Sequence, residues 1–179
     1  MRLSRIAFIC LPAAFAALLS CSACPGDPGV YCDKENGFHI TFPVDWTVET
    51  DPGGGRVVAA RAPLEDGADS EVTGTAFEVL IMRMQSDPDL EMFFDSYKKR
   101  LPEGKAYYQY EDSGEIKVGG KKTKYILYVI DTEPRYEARL EYLQKKGSAI
   151  YIFRGVTRGV QFNQFHDQFR EIAYTFRLI

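Results

Sequence analysis

Residues Tyr125–Ile130 read YILYVI and residues Ala149–Phe153 read AIYIF, and neither run alternates. A strand with one face in water carries polar side chains at every second position, so strands this continuously apolar need cover on both faces. Helices are therefore expected on each side of the sheet that holds them. YILYVI is the second arm of GEIKVGGKKTKYILYVID, whose Gly119-Gly120 centre marks a hairpin turn. AIYIF follows YEARLEYLQ across Lys145-Lys146-Gly147-Ser148, a second hairpin. Successive hairpins make the sheet largely antiparallel. The expected fold class is α+β, a three-layer α/β/α sandwich.

Two segments have the period of amphipathic helices. In the first, Leu90, Phe93, Phe94, Tyr97 and Leu101 share one face, with Asp87 as the expected N-cap and Pro88 at the first helical position. Lys98, Lys99 and Arg100 stand at its end, where the helix dipole favours cations. In the second, about residues 160–173, Phe162, Phe165, Phe169 and Ile172 form the stripe. YTFRLI then closes the chain, as a last strand or as the end of that helix. Upstream, Gly37–Glu49 reads GFHITFPVDWTVE. Phe38, Ile40 and Phe42 alternate with His39 and Thr41 as a half-buried strand. Pro43-Val44-Asp45 turns the chain, with Asp45 able to hydrogen-bond locally, and Trp46 starts a return strand. RVVAARAP and TAFEVLIMRM supply two more strands, separated by the acidic stretch LEDGADSEVTG.

The first residues read as an export leader. Arg2 and Arg5 precede an apolar run, Ile6–Leu19, of about 14 residues, short of the roughly 20 that span a bilayer core. Leu18-Leu19-Ser20-Cys21 resembles a bacterial lipobox, in which the Cys21 thiol is acylated and becomes the mature N-terminus. Two acyl chains anchor stably where one is marginal, since each buried methylene contributes about 0.8 kcal/mol. Residues 1–20 are then a signal peptide, residues 21–36 an acylated N-terminus and flexible tether, and residues 37–179 the folded domain. About 15 extended residues reach roughly 50 Å. Of four cysteines, Cys10 leaves with the leader and Cys21 is modified, which leaves Cys24 and Cys32. In an oxidising compartment a disulfide between them is expected, with two free thiols as the alternative. Removing residues 1–20 takes Arg2 and Arg5 and no acid from the 22 basic and 25 acidic side chains, leaving a formal charge of −5. That balance does not suit nucleic acid.

Taken in order, FHITFPVDWTV, an apolar strand, an amphipathic helix, IKVGGKKTKYILYV, AIYIF and FHDQFREIAYTFRL resemble the PsbP/DcrB-like superfamily. The match covers roughly residues 37–179, and it rests on the order of the motifs more than on any one of them. The resemblance implies an α/β/α sandwich around an antiparallel sheet, lipoprotein relatives in bacteria, and accessory or binding roles without catalytic residues. It transfers no partner.

The residues themselves offer little catalysis. There is no Gly-x-Ser-x-Gly, no phosphate loop around Gly53–Gly55 and no cofactor motif. His39 lies on the polar side of its strand. His166-Asp167 are helical neighbours that do not face each other. Glu65, Asp66, Asp69 and Glu71 lack the spacing of a calcium loop and read as a solvated acidic segment or a weak divalent site. Lys117, Lys121, Lys122 and Lys124 flank the Gly-Gly turn. Lysines at hairpin tips are ordinarily solvated and discourage edge pairing, but gathered together they could meet anionic headgroups or an acidic partner. Tyr108 and Tyr110 share a face of YYQY and serve either an interface or sheet packing. The expected function is that of a non-enzymatic, lipid-anchored envelope protein that binds another envelope component. It would sit in the outer membrane, facing the periplasm, if the source has two membranes, since Ser22 and not Asp follows Cys21. The alternative is a periplasmic module for a small ligand or divalent metal.

Overall fold

The computed structural model describes residues 26–63, 74–101, 107–132 and 135–179; the side chains of Tyr107, Tyr108, Tyr110, Thr132 and Arg135 fall outside that description. Among the described residues, ten strands form two sheets, and every pairing is antiparallel. The small sheet has the order β1-β2-β10, with β1 at Val30–Asp33, β2 at Phe38–Thr41 and β10 at Arg177–Leu178. The large sheet has the order β3-β4-β5-β9-β8-β7-β6. Its strands are β3 (Thr47–Gly53), β4 (Arg56–Arg61), β5 (Ala76–Arg83), β6 (Tyr107–Val118), β7 (Lys121–Thr132), β8 (Arg135–Lys146) and β9 (Ala149–Arg158). Helix α1 spans Leu90–Arg100 and α2 spans Phe162–Thr175.

The apolar runs are covered on both faces, as their lack of alternation requires. On one face Phe93 and Phe94 of α1 pack on Ile126, Tyr128, Ile130, Leu143, Ile150 and Ile152. On the other, Phe169, Ile172 and Ala173 of α2 join Phe38 and Ile40 of β2, and Phe42 just after it, over Phe77, Leu140, Tyr142 and Phe153. The architecture is thus the three-layer sandwich, with one refinement. The layer opposite α1 is α2 together with the three-stranded sheet. Phe176 ties these parts, its ring 4.3 Å from that of Phe153 and 5.5 Å from that of Phe38.

The Pro43–Trp46 corner carries the chain from the small sheet to the edge of the large one, so the strands on either side of it do not pair. It closes through the backbone, Trp46 N–H donating to Pro43 C=O at 3.1 Å. Among the described residues Asp45 adds no side-chain bond. Trp46 is buried in the α2-side core. Three further boundaries differ from the sequence reading. Residues 30–33, assigned to the tether, form β1, because β2 has a free edge that their backbone completes. The N-cap of α1 is Asp89, which accepts from Met92 N–H at 2.9 Å. Asp87 is drawn away to an ion pair with Lys145 at 2.8 Å. YTFRLI divides, with α2 running to Thr175 and β10 pairing with β2.

Candidate functional site

A cleft of about 300 Å³ lies between α2 and strands β6, β7 and β8, lined by Asp112, Ile116, Tyr125, Leu140, Tyr142, His166, Arg170 and Tyr174. Local sequence explains each wall. His166, Arg170 and Tyr174 recur every fourth residue, so they form one stripe along α2. That stripe runs beside the phenylalanine stripe that docks the helix. Docking is close because Gly155 has no side chain: a Cβ there would meet Cγ of Phe169 at 2.2 Å. On the sheet side, the register of β6 against β7 shifts between Tyr110 and Asp112. Tyr110 opposes Tyr128, on the α1 face, whereas Asp112 opposes Leu127, which packs in the α2-side core. The bulge thus turns Asp112 into the cleft, a re-aiming common at such irregularities. Gly114, opposite Tyr125, lets that ring lie across β6, where a Cβ would come within 2.8 Å of it. Tyr125 can then donate its hydroxyl hydrogen to Asp112 Oδ2 at 3.0 Å.

The floor holds the group of greatest interest. Tyr142 is 3% exposed and its ring stacks on Phe153 at 5.4 Å. Its hydroxyl makes no hydrogen bond among the described residues. Burial raises its pKa, and Tyr174 raises it further, partly offset by Arg170. The phenol is therefore a neutral donor at any physiological pH. His166 Nδ1 lies 3.1 Å from Asp167 Oδ1, although the two are chain neighbours. When that nitrogen donates to the carboxylate, Nε2 is left as an acceptor. Arg170 stands 4.0 Å from Asp167 and 6.0 Å from the centre of the Tyr174 ring.

A second polar cluster crosses the α1 face. Glu78, Arg154 and Glu141 are direct cross-strand neighbours on β5, β9 and β8. Arg154 donates to Glu78 at 2.9 Å and to Glu141 at 3.3 Å, and Arg56 donates to Glu78 at 2.8 Å. Tyr97 and Tyr128 donate to Glu141 at 2.6 and 2.8 Å. Arg139 pairs with Glu137. Burial alone would raise the pKa of Glu78, but the charges and hydrogen bonds of Arg154 and Arg56 reverse this and hold it low. Three Glu against three Arg leave the cluster neutral. An adjoining pocket of about 310 Å³ borders Tyr97, Tyr128 and Arg139, but both tyrosine hydroxyls are already committed to Glu141. This cluster is internally satisfied, whereas the α2 cleft holds a donor that is not.

The residues singled out in the sequence are dispersed. Lys124 reaches Glu91 at 2.6 Å and Glu115 at 3.0 Å, and Lys122 reaches Glu115 at 2.9 Å. These pairs lower the pKa of both carboxyls and raise that of both lysines. Of the four lysines at this turn, Lys117 and Lys121 are exposed and make no ion pair among the described residues. Tyr108 and Tyr110 belong to β6, opposite Ile130 and Tyr128, and their side chains lie outside the description. So do Glu65, Asp66, Asp69 and Glu71, and Cys21 and Cys24. Cys32 is half-buried on β1 and its sulfur is not a free thiol. His39, opposite Cys32 and Arg177, has a buried Nδ1 without a partner; burial, and then the charge of Arg177, lower its pKa. Among the described residues, no group of three or more His, Cys, Asp or Glu could hold a metal ion.

Neither a scan of protein-family models nor a search of curated proteins finds a match. Solved structures do match. The solution structure of cyanobacterial PsbP from Synechocystis superposes with a TM-score of 0.62 at 15% identity, over 84% of this chain and 91% of that one. LpqN of Mycobacterium tuberculosis, described as involved in cell envelope biogenesis, gives 0.63 at 11% identity, over 83% and 88%. A Pseudomonas aeruginosa protein of unknown function, PA94, gives 0.57 at 12% identity, over 82% and 93%. With the two-faced sheet, the sheet-to-sheet corner and the Phe-docked last helix in place, the chain has a PsbP-like fold.

Proposed function

We propose that this protein is a non-enzymatic binding domain of the cell envelope, tethered by lipid at Cys21, which holds its ligand in the α2 cleft. The observation that carries this reading is the Tyr142 hydroxyl: a phenol almost wholly buried, at the floor of a cleft, with no protein partner. The buried ring presents its hydroxyl to the cleft, where a ligand can take the place of solvent as its hydrogen-bond partner. The lining supplies rings, a carboxylate, a guanidinium and an imidazole, groups suited to recognition, and it contains no Ser, Thr or Cys nucleophile. Placement in the envelope draws on the leader, the Cys21 lipobox and the likeness to LpqN. The outer membrane, facing the periplasm, follows from Ser22 where two membranes exist. The non-free Cys32 supports a Cys24–Cys32 bridge at the base of the tether. The exposed pair Lys117 and Lys121 is a secondary contact for an acidic envelope partner.

Two measurements test this. Membrane fractionation of Cys21→Ser should move the protein to the soluble fraction; continued sedimentation with membranes would place the anchor elsewhere. A photoreactive amino acid at position 174, on the cleft rim, should give products of raised mass in cells. The same group at position 121 reports on the hairpin tip. Products from 121 alone would move the binding site from the cleft to the lysines.

A further inference from the structure

We propose that the α2 cleft is a saccharide site, taking one sugar unit as a neutral, hydroxyl-rich ligand. This deepens the reading of the cleft as a binding site and rests on it. The polar groups at the cleft are mixed in role and balanced in charge. Tyr142 offers a free hydroxyl hydrogen from the floor. Asp112 accepts from Tyr125 with Oδ2 alone, which leaves Oδ1 as an acceptor. When His166 donates from Nδ1 to Asp167, Nε2 is a second acceptor. Arg170 adds donors from α2. An anion drawn to Arg170 would also face the Asp112 carboxylate, and a cation would face the guanidinium. A hydroxyl both donates and accepts, so neighbouring hydroxyls on one ring can satisfy Tyr142, Asp112 and His166 together.

The apolar part of the lining fits the same class. Ile116, Leu140 and the rings of Tyr125, Tyr142 and Tyr174 sit among the polar groups. The negative face of an aromatic ring attracts the polarised C–H groups that a pyranose presents on its flat side. A volume of about 300 Å³ is at the lower end for small-molecule sites, enough for one sugar unit.

The test is titration calorimetry on the full-length protein in lauryldimethylamine oxide, a detergent without sugar. The probes are glucose, N-acetylglucosamine, chitotriose, sodium acetate and sodium phosphate. At least one sugar should bind, with a Kd on the order of 1 mM. Tyr142→Phe and Asp112→Asn should each weaken it fivefold or more, while Lys99→Ala, on α1, leaves it unchanged. The unfolding midpoint of Tyr142→Phe should not fall, since the hydroxyl has no protein bond to lose; if it falls, Asp112→Asn alone decides. Tighter binding of chitotriose than of N-acetylglucosamine identifies a glycan chain as the source, and equal binding identifies a free sugar. Either result supports the class. Sugar binding indifferent to both cleft variants overturns the proposal, as does tighter binding of acetate or phosphate. If no probe binds yet position 174 still crosslinks in cells, the saccharide class fails and the binding cleft stands. If crosslinking at 174 fails too, both fall.

Discussion

At the scale of single residues, the chemistry turns on what has been omitted from a side chain and what has been left unpaired. Gly155 is the clearest omission. Its missing Cβ is the space in which the fully buried Phe169 ring rests against the central strand of the sheet. Gly155→Ala should destabilise the protein by about 1–3 kcal/mol, as overpacking does, measured by urea unfolding. Adding Phe169→Leu should recover part of that loss, because the two changes meet in one place. Additive losses would mean that the ring and the glycine are not coupled. His39 is the unpaired case. Its folded pKa lies below the ordinary value of about 6.5, so on acidification the unfolded chain takes up the proton first. Stability is therefore full above that value and declines as pH falls towards the folded pKa. Between pH 7.5 and 5.5 the urea midpoint of the wild type should drop more than that of His39→Gln. Equal drops would remove His39 from the acid response.

At the scale of elements, α1 is held at its N-terminal end by local charge. Asp89 caps its first turn, and Glu91 reaches from that turn to Lys122 and Lys124 on β7. Lys124 also lies 5.9 Å from the Phe94 ring, so it bridges ionic and apolar contacts. Asp89→Ala should cost about 1 kcal/mol, the usual loss for a cap. Lys124→Ala should loosen the docking of the helix: hydrogen exchange should quicken in α1 amides while those of β9 keep the global rate. A uniform change across both would show that α1 does not open separately. The elements also show how far residues alone could be read. Apolar period placed both helices, and the unbroken runs YILYVI and AIYIF required cover on two faces. Sequence placed the cap at Asp87, whereas in the fold Asp89 caps the helix and Asp87 pairs with Lys145 on β8. The cleft was half legible. His166, Arg170 and Tyr174 form a visible stripe, but Asp112 reaches the cleft only through a bulge, and bulge positions depend on pairing with a strand that sequence does not align.

At the scale of the whole molecule, the same limit applies to the charged row across the α1 face. Glu78, Arg154 and Glu141 are up to 76 residues apart in pairwise contact, and only the order β5-β9-β8 makes them neighbours. The row crosses the middle of the sheet, so it is buried on the face where α1 supplies the apolar cover. Its charges persist there because each has a partner, and removing one leaves the others uncompensated in a poor solvent for ions. Glu78→Gln should therefore cost on the order of 3–5 kcal/mol, read as a fall in the urea midpoint with an unchanged denaturant slope. Replacing Glu78 and Arg154 together by Leu and Met should cost less than the two single changes combined, since most of each single loss is the stranded partner. The pH response has the opposite origin from that of His39. The folded pKa of Glu78 is depressed, so its contribution is present above the unfolded carboxyl value of about 4.3 and is lost as pH falls through the folded one. The wild type should thus lose stability below about pH 4.3 more steeply than Glu78→Gln does. If the two acid limbs are parallel, Glu78 does not titrate on unfolding and the row is not what holds the centre of the sheet.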